Sequence, residues 1–274
     1  MKKFSDLSEQ INEGIDFDYN TMTVSYNAYH EDNVDTSVEN NPTVYNDIVD
    51  NVKVYSIFKR KRGLKGDGNP LIYALKDEDG WKFRSKKDKD AIDKQFNDIA
   101  EKFSKMYQYG PVIVIPSTNE LNTYISNIIV SKNHNAKLIK GVIRKLTTEE
   151  VKKIVLDKNS EFRKYYKDDF DEAYDLLDDY LDTMDKEKDG YFARHYVKDK
   201  KMRNILKDTF KATDDNYARF AKELTDKDIL LIDDTVSRGQ SIKSACKIIS
   251  DTYSPKSITV LTLLSLVSLK KFNN

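Results

Sequence analysis

The sequence predicts an α/β protein built around a parallel sheet. Two segments carry this prediction. Val112-Ile113-Val114-Ile115 and Ile229-Leu230-Leu231-Ile232 are unbroken aliphatic runs of strand length, the pattern of strands buried on both faces. Each run ends in a polar turn and then in apolar residues at helical spacing. These are Leu121, Ile125, Ile128 and Ile129 behind the first run, and Ile242, Ala245, Cys246, Ile248 and Ile249 behind the second. A strand, a turn and a helix met twice is the alternation of α/β architecture.

Taken in order, residues 1 to about 50 are polar and loosely periodic, with Asn40-Asn41-Pro42 as a turn, and read as an irregular or partly helical arm. Val52, Val54 and Ser56-Ile57-Phe58 read as a strand. After the turn Gly66-Asp67-Gly68-Asn69-Pro70, the run Leu71-Ile72-Tyr73-Ala74-Leu75 reads as its hairpin partner. Ile92, Phe96, Ile99 and Phe103 fall on one helical face, predicting an amphipathic helix over 89–107. The strand at 111–115 and its helix follow, then a strand over 137–146. Phe162, Tyr166, Phe170, Tyr174, Leu177, Leu181 and Met184 keep helical spacing within a helical region at 148–185. Its acids, Asp168 to Asp185, form a solvated face, with a metal site as the alternative. Residues 186–215 read as a loop or short helices. The unit beginning at Ile229 and a last strand, Ile258-Thr259-Val260-Leu261-Thr262-Leu263-Leu264, close the chain.

Composition bounds the function. Lys plus Arg and Asp plus Glu number 46 each in 274 residues, so net charge gives no reason to expect nucleic acid as a partner. Residues 1–14 lack the apolar segment of a secretory signal, and the longest apolar run, 258–269, is too short to span a bilayer as a helix. A cytoplasmic location without membrane contact is therefore expected. Cys246, the single cysteine, lies level with Ile242 and Ile249 and reads as a buried thiol rather than a nucleophile. His30, His134 and His195 stand apart from other ligand types, which argues against zinc.

The turn after the second aliphatic run carries the chemistry: Asp233, Asp234, Thr235, Val236, Ser237, Arg238, Gly239, Gln240 and Ser241. Backbone N–H groups of such a turn and of the helix behind it point at an anion, helped by the helix dipole. Two carboxylates just upstream would repel a phosphate. They suit the vicinal hydroxyls of a ribose, from which they can only accept hydrogen bonds. A ribose 5-phosphate fits the run end to end. The alternative is an ordinary strand-to-helix turn whose acids cap the helix.

This run closely resembles the phosphoribosyl-pyrophosphate (PRPP) signature of type I phosphoribosyltransferases, in which four hydrophobic residues precede two acids and a short Ser/Thr/Gly loop. The resemblance implies a Rossmann-like, parallel-sheet core over residues 105–270. An α+β region at 1–104 would precede it, in the position of the hood that selects the nucleophile, and a helical insertion at about 148–200 would interrupt it. Asp233 and Asp234 would bind the ribose hydroxyls, and Thr235, Val236, Ser237, Arg238, Gly239, Gln240 and Ser241 the 5-phosphate. Arg238 could add a charge-assisted bond there. Thr235 departs from the family, which usually has an aliphatic residue at that position. A receiver domain is set aside because its acidic pair belongs to the first strand of the domain. A P-loop is excluded because no Gly-x4-Gly-Lys-Ser/Thr string is present.

The family also places a pyrophosphate-binding loop after its first core strand, here Ser117, Thr118, Asn119 and Glu120; a plain capping box is the alternative. The most similar subfamily is the ComF-like phosphoribosyltransferases, whose motif strings Arg144-Lys145-Leu146-Thr147 and Arg203-Asn204-Ile205…Phe210 resemble, with a tighter Arg–Asn spacing. By that resemblance Arg144, Lys145 and Arg203 would close over pyrophosphate. The implied activity is transfer of ribose 5-phosphate from PRPP to a nitrogenous acceptor. Its cofactor would be Mg2+, held mainly by PRPP itself, and a homodimer is the usual arrangement among similar proteins. Two other readings are a PRPP- or nucleotide-binding regulator without turnover, and an interaction protein that inherited the fold.

Overall fold

The computed structural model describes residues 13–30, 33–60, 69–117, 120–187, 189–207, 209–213, 217–236 and 239–265. In chain order these form β1 (Gly14–Asp18), β2 (Thr23–Asn27), β3 (Val34–Asp35), β4 (Thr43–Val49), β5 (Val52–Arg60), α1 (Asn69–Lys76), β6 (Lys82–Phe83) and α2 (Lys86–Met106). There follow β7 (Pro111–Val114), α3 (Leu121–Ser131), β8 (Lys137–Ile139), β9 (Ile143–Lys145), α4 (Thr148–Leu156), α5 (Glu161–Tyr166) and α6 (Phe170–Glu187). The last are α7 (Lys200–Ile205), β10 (Phe210–Ala212), α8 (Tyr217–Leu224), β11 (Asp228–Val236), α9 (Gln240–Tyr253) and β12 (Ser257–Ser265). Two compact units result, one of residues 1–140, 226–239 and 256–274, the other of 141–225 and 240–255.

The first unit is α/β, with a mostly parallel central sheet. Its strands run β6-β2-β1-β3-β5-β12-β11-β7-β8, with β4 also paired to β5. The five from β5 to β8 are mutually parallel. Ile232 stands level with Val114 on one side and Leu261 on the other, and β11 and β12 run on past the end of β7. One sheet face, including Val112, Leu230 and Ile232, packs on Ile92, Phe96, Ile99 and Phe103 of α2 and Leu121, Ile125 and Ile129 of α3. Each such fully buried side chain contributes roughly 1.5–3 kcal/mol. The helices predicted over 89–107 and behind 111–115 are thus α2 and α3, and the strand at 52–58 is β5.

Three expectations are corrected. The described part of the first 50 residues is not an irregular or partly helical arm but strands β1 to β4, added antiparallel to one another and to β5. Ile15 and Val24 of these strands are buried. Leu71 to Leu75 is not a strand: α1 spans it and buries Leu71 and Ile72, and the hairpin partner of β5 is β4 instead. Asn69-Pro70 starts this helix, because proline's fixed φ suits a first turn, where its missing N–H goes unused. Of the expected turn, residues 66–68 lie outside the described residues. The strand read over 137–146 is two strands: β8 on the sheet edge, and β9 paired antiparallel with β10. Gly141, at φ +76°, turns the chain between them.

The second unit is mainly helical. Its core joins Leu146, Val151 and Val155 with Phe162, Phe170, Leu177, Leu181 and Met184, the predicted stripe. Thr147 caps α4, and Glu150 completes the capping box. The acidic face of α6 is partly engaged. Lys152 lies 2.6 Å from Asp178 and 3.3 Å from Asp182, and Thr148 donates to Asp185. The segment at 186–215 holds α7 and β10, and α8 follows without having been predicted. Cys246 is buried, and desolvation pushes its thiol up to about 12. No helix among the described residues is long and apolar enough to cross a membrane.

Candidate functional site

The strand order of the first unit reverses at one place. From β7 the chain moves outward to β8; from β11 it moves the other way, to β12. In open parallel sheets the crevice at the carboxyl ends of such a pair is where ligands bind. Those ends are tied together by the Ile115 N–H, which donates to the Ile232 carbonyl at 2.9 Å. Asp233 and Asp234 come immediately after Ile232, so the acidic pair sits at the reversal.

Asp233 Oδ1 accepts from Asn122 Nδ2 at 3.2 Å and from the Asp234 N–H at 3.0 Å. Asn122 belongs to the first turn of α3, and its amide also donates to the Ile115 carbonyl at 3.0 Å, which fixes its direction. Asp234 is held differently. Lys76 Nζ lies 2.6 Å from its Oδ2, both side chains being largely buried, and the Thr235 hydroxyl donates to its Oδ1 at 3.1 Å. Asp233 forms no ion pair among the described residues. Burial and the adjacent Asp234 charge push its carboxyl up to about 7, against the weaker opposing pull of Asn122, the Asp234 N–H and Lys76.

The remaining assigned residues fall unequally. Thr235 and Val236 continue β11, level with Leu264 and Ser265, so the strand runs two residues past the acids. Ser237 and Arg238 lie outside the described residues. Gly239 has φ +69°, and a Cβ placed on it would stand 2.3 Å from Ile48 Cγ2, so both conformation and space require glycine there. Gln240 and Ser241 open α9, in the second unit. In the second loop, Ser117 and Glu120 are exposed, while Thr118 and Asn119 lie outside the described residues. Glu120 occupies the N-cap position of α3 without a side-chain cap bond, so the alternative of a capping box with Glu120 at its third position does not form.

Arg144, Lys145 and Arg203 belong to the second unit, on β9 and α7. The Arg144 guanidinium grips Glu150 with two bonds of 2.6 and 2.7 Å, holding that carboxyl down at about 2. The Arg203 carbonyl accepts from the Arg194 guanidinium at 2.6 and 2.8 Å. Within the first unit, then, the structure brings together Asp233, Asp234 and Thr235 with two residues the sequence reading missed, Lys76 and Asn122. Asn122 is only two residues beyond the loop already singled out. Lys76 was hidden by reading α1 as a strand; the Asn-Pro start was its signal.

In comparisons with known proteins, no family model matches the chain and no curated protein matches it. Chemically, the cluster offers carboxylates that only accept hydrogen bonds, beside one amide and one ammonium that donate. It suits a polyhydroxyl ligand or one carrying a bound cation.

Proposed function

We propose that the protein is a Mg2+-dependent phosphoribosyltransferase that moves ribose 5-phosphate from PRPP to a nitrogenous acceptor and releases pyrophosphate. The observation that carries the reading is the acidic pair at the strand-order reversal, joined through Asn122 to the first turn of α3. Ribose hydroxyls and an anion could then be held side by side, hydroxyls by carboxylate and anion at the positive end of the α3 dipole. The family resemblance of residues 229–241 supplies the reaction.

In that reaction the C1–oxygen bond to pyrophosphate breaks, its electron pair leaving with pyrophosphate, and the acceptor nitrogen bonds to C1. Positive charge develops on the ribose ring as the bond breaks, and an adjacent carboxylate stabilises it. Carboxylate oxygens suit a hard cation such as Mg2+. Among the described residues, no cluster of three or more His, Cys, Asp or Glu side chains could hold a metal; by the family resemblance the ion would be carried chiefly by the diphosphate oxygens. Bound there, it would supply neutralisation of the departing charge. The protein's own part is to orient the ribose through Asp233 and Asp234 and to hold the anion at the α3 N-terminus.

A second reading, PRPP binding without transfer, is favoured by one observation: the bidentate Arg144–Glu150 pair engages a residue assigned to pyrophosphate. Pyrophosphate release from PRPP across a panel of purines, pyrimidines and small amines separates the two. Release by the wild type and not by Asp233→Ala/Asp234→Ala supports transfer. Binding without release from any acceptor supports the regulator.

A further inference from the structure

The acidic pair is not symmetric. Both oxygens of Asp234 are occupied, Oδ2 by Lys76 at 2.6 Å and Oδ1 by the Thr235 hydroxyl at 3.1 Å. Among the described residues, the two bonds to Asp233, from Asn122 and from the Asp234 N–H, both fall on Oδ1 and leave Oδ2 out of the network. We infer that the acids have separate roles: Lys76 and Thr235 fix Asp234 as a charge-neutralised anchor, and Asp233 Oδ2 is the oxygen that accepts the ribose hydroxyls. This inference rests on the phosphoribosyl reading.

The physical argument is one of charge. Lys76 and Asp234 are 13% and 15% exposed, so their attraction is weakly screened and holds the ammonium on Asp234. An acid already neutralised does little for a positive charge developing nearby, whereas Asp233 in its ionised form forms no ion pair among the described residues. Asp233 is then the group that answers the developing charge on the ribose ring. Lys76 is a positioning residue: it touches no substrate and acts by holding Asp234, whose N–H in turn aims Asp233. The lysine arrives from α1, far in sequence from the signature, so no motif centred on residues 229–241 would include it.

The test is a set of calorimetric titrations of PRPP with Mg2+ into the full chain and its variants. Lys76→Met, Asp234→Asn and Asp233→Asn should each weaken binding by about tenfold, the effect of losing one charge-assisted bond. Lys76→Met/Asp234→Asn should bind no more than about threefold worse than either single variant, because each removes the same pair. Lys76→Met/Asp233→Asn should fall short of the roughly 100-fold product, because the lysine acts on the ribose through Asp233, and Lys76→Arg should restore binding to within a few-fold. Unfolding midpoints recorded alongside identify any variant that fails to fold. Should Lys76→Met do so, the comparison of Lys76→Met/Asp234→Asn with Asp234→Asn stands in, since that double variant strands no charge. Wild-type binding with Lys76→Met unchanged, or with the Lys76/Asp234 losses multiplying, overturns the division of roles and leaves the phosphoribosyl reading intact. No binding by the wild type overturns both.

Discussion

Replacing Gly239 by alanine should damage the protein by an amount that can be worked from two features. The residue has φ +69°, which a side chain makes unfavourable by about 1–2 kcal/mol. The new Cβ would stand 2.3 Å from Ile48 Cγ2, more than an ångström inside ordinary contact, and Ile48 is a buried residue of β4. Forcing a methyl into such a site costs about 1–3 kcal/mol more. Gly239→Ala should therefore lose about 2–5 kcal/mol in urea unfolding. Ile48→Ala should lose about 2–5 kcal/mol by leaving a cavity. The nearest remaining atom, Ile48 Cβ, would then lie at 3.7 Å from the new methyl, an ordinary contact. In the double variant the clash is gone, so its loss should fall short of the sum by about 1–3 kcal/mol. Strict additivity, or a Gly239→Ala variant within about 0.5 kcal/mol of wild type, would refute the reasoning.

Three further outcomes follow from particular groups. Asp233 has a folded value near 7 against 3.8 for the free side chain, so it subtracts stability as pH rises from about 4 to about 7. Asp233→Asn should remove that slope from a series of urea midpoints; parallel wild-type and variant series would contradict it. Glu150 is shifted the opposite way, from 4.5 to about 2, chiefly by Arg144, so its contribution holds above about 4.5 and is lost as pH falls toward 2. Glu150→Gln should cost about 1–3 kcal/mol at neutral pH and less than about 0.5 kcal/mol at pH 2, read from thermal unfolding. Lys102 Nζ donates to the carbonyls of Val38, Glu39 and Asn41 at 2.6, 3.0 and 2.6 Å. Lys102→Met should lose about 1.5–3 kcal/mol and speed amide exchange over residues 36–42; unchanged exchange there would count against this lysine as the clasp of the loop.

The parts of the fold legible in the sequence are those whose periodicity has one physical meaning. Val112 to Ile115, wholly β-branched, and Ile229 to Ile232, each followed by a polar turn, read as buried strands, and Ile92, Phe96, Ile99 and Phe103 share a helical face. Leu71 to Leu75 was ambiguous in kind: five apolar residues in succession fit a strand or one buried helical turn and a half, and the tertiary setting decided for the helix. In β1 the alternation of Ile15 and Phe17 with Asp16 and Asp18 is a strand signal, but five residues of it among polar neighbours do not stand out. Of the candidate site, the acidic pair was readable because it stands in a whole pattern, four aliphatic residues, two acids and then a Ser/Thr/Gly turn. Lys76 was not, because nothing in a lysine at the end of a misread element announces that it reaches an aspartate contributed by another strand.

The central claim is that the acidic pair and its turn bind a ribose phosphate carrying pyrophosphate. Calorimetric titration of PRPP with Mg2+ into the wild type, beside Asp233→Ala/Asp234→Ala, tests it most directly. The account predicts saturable binding by the wild type and its loss in the double variant. Absence of binding by the wild type, or equal binding by both proteins, would contradict it.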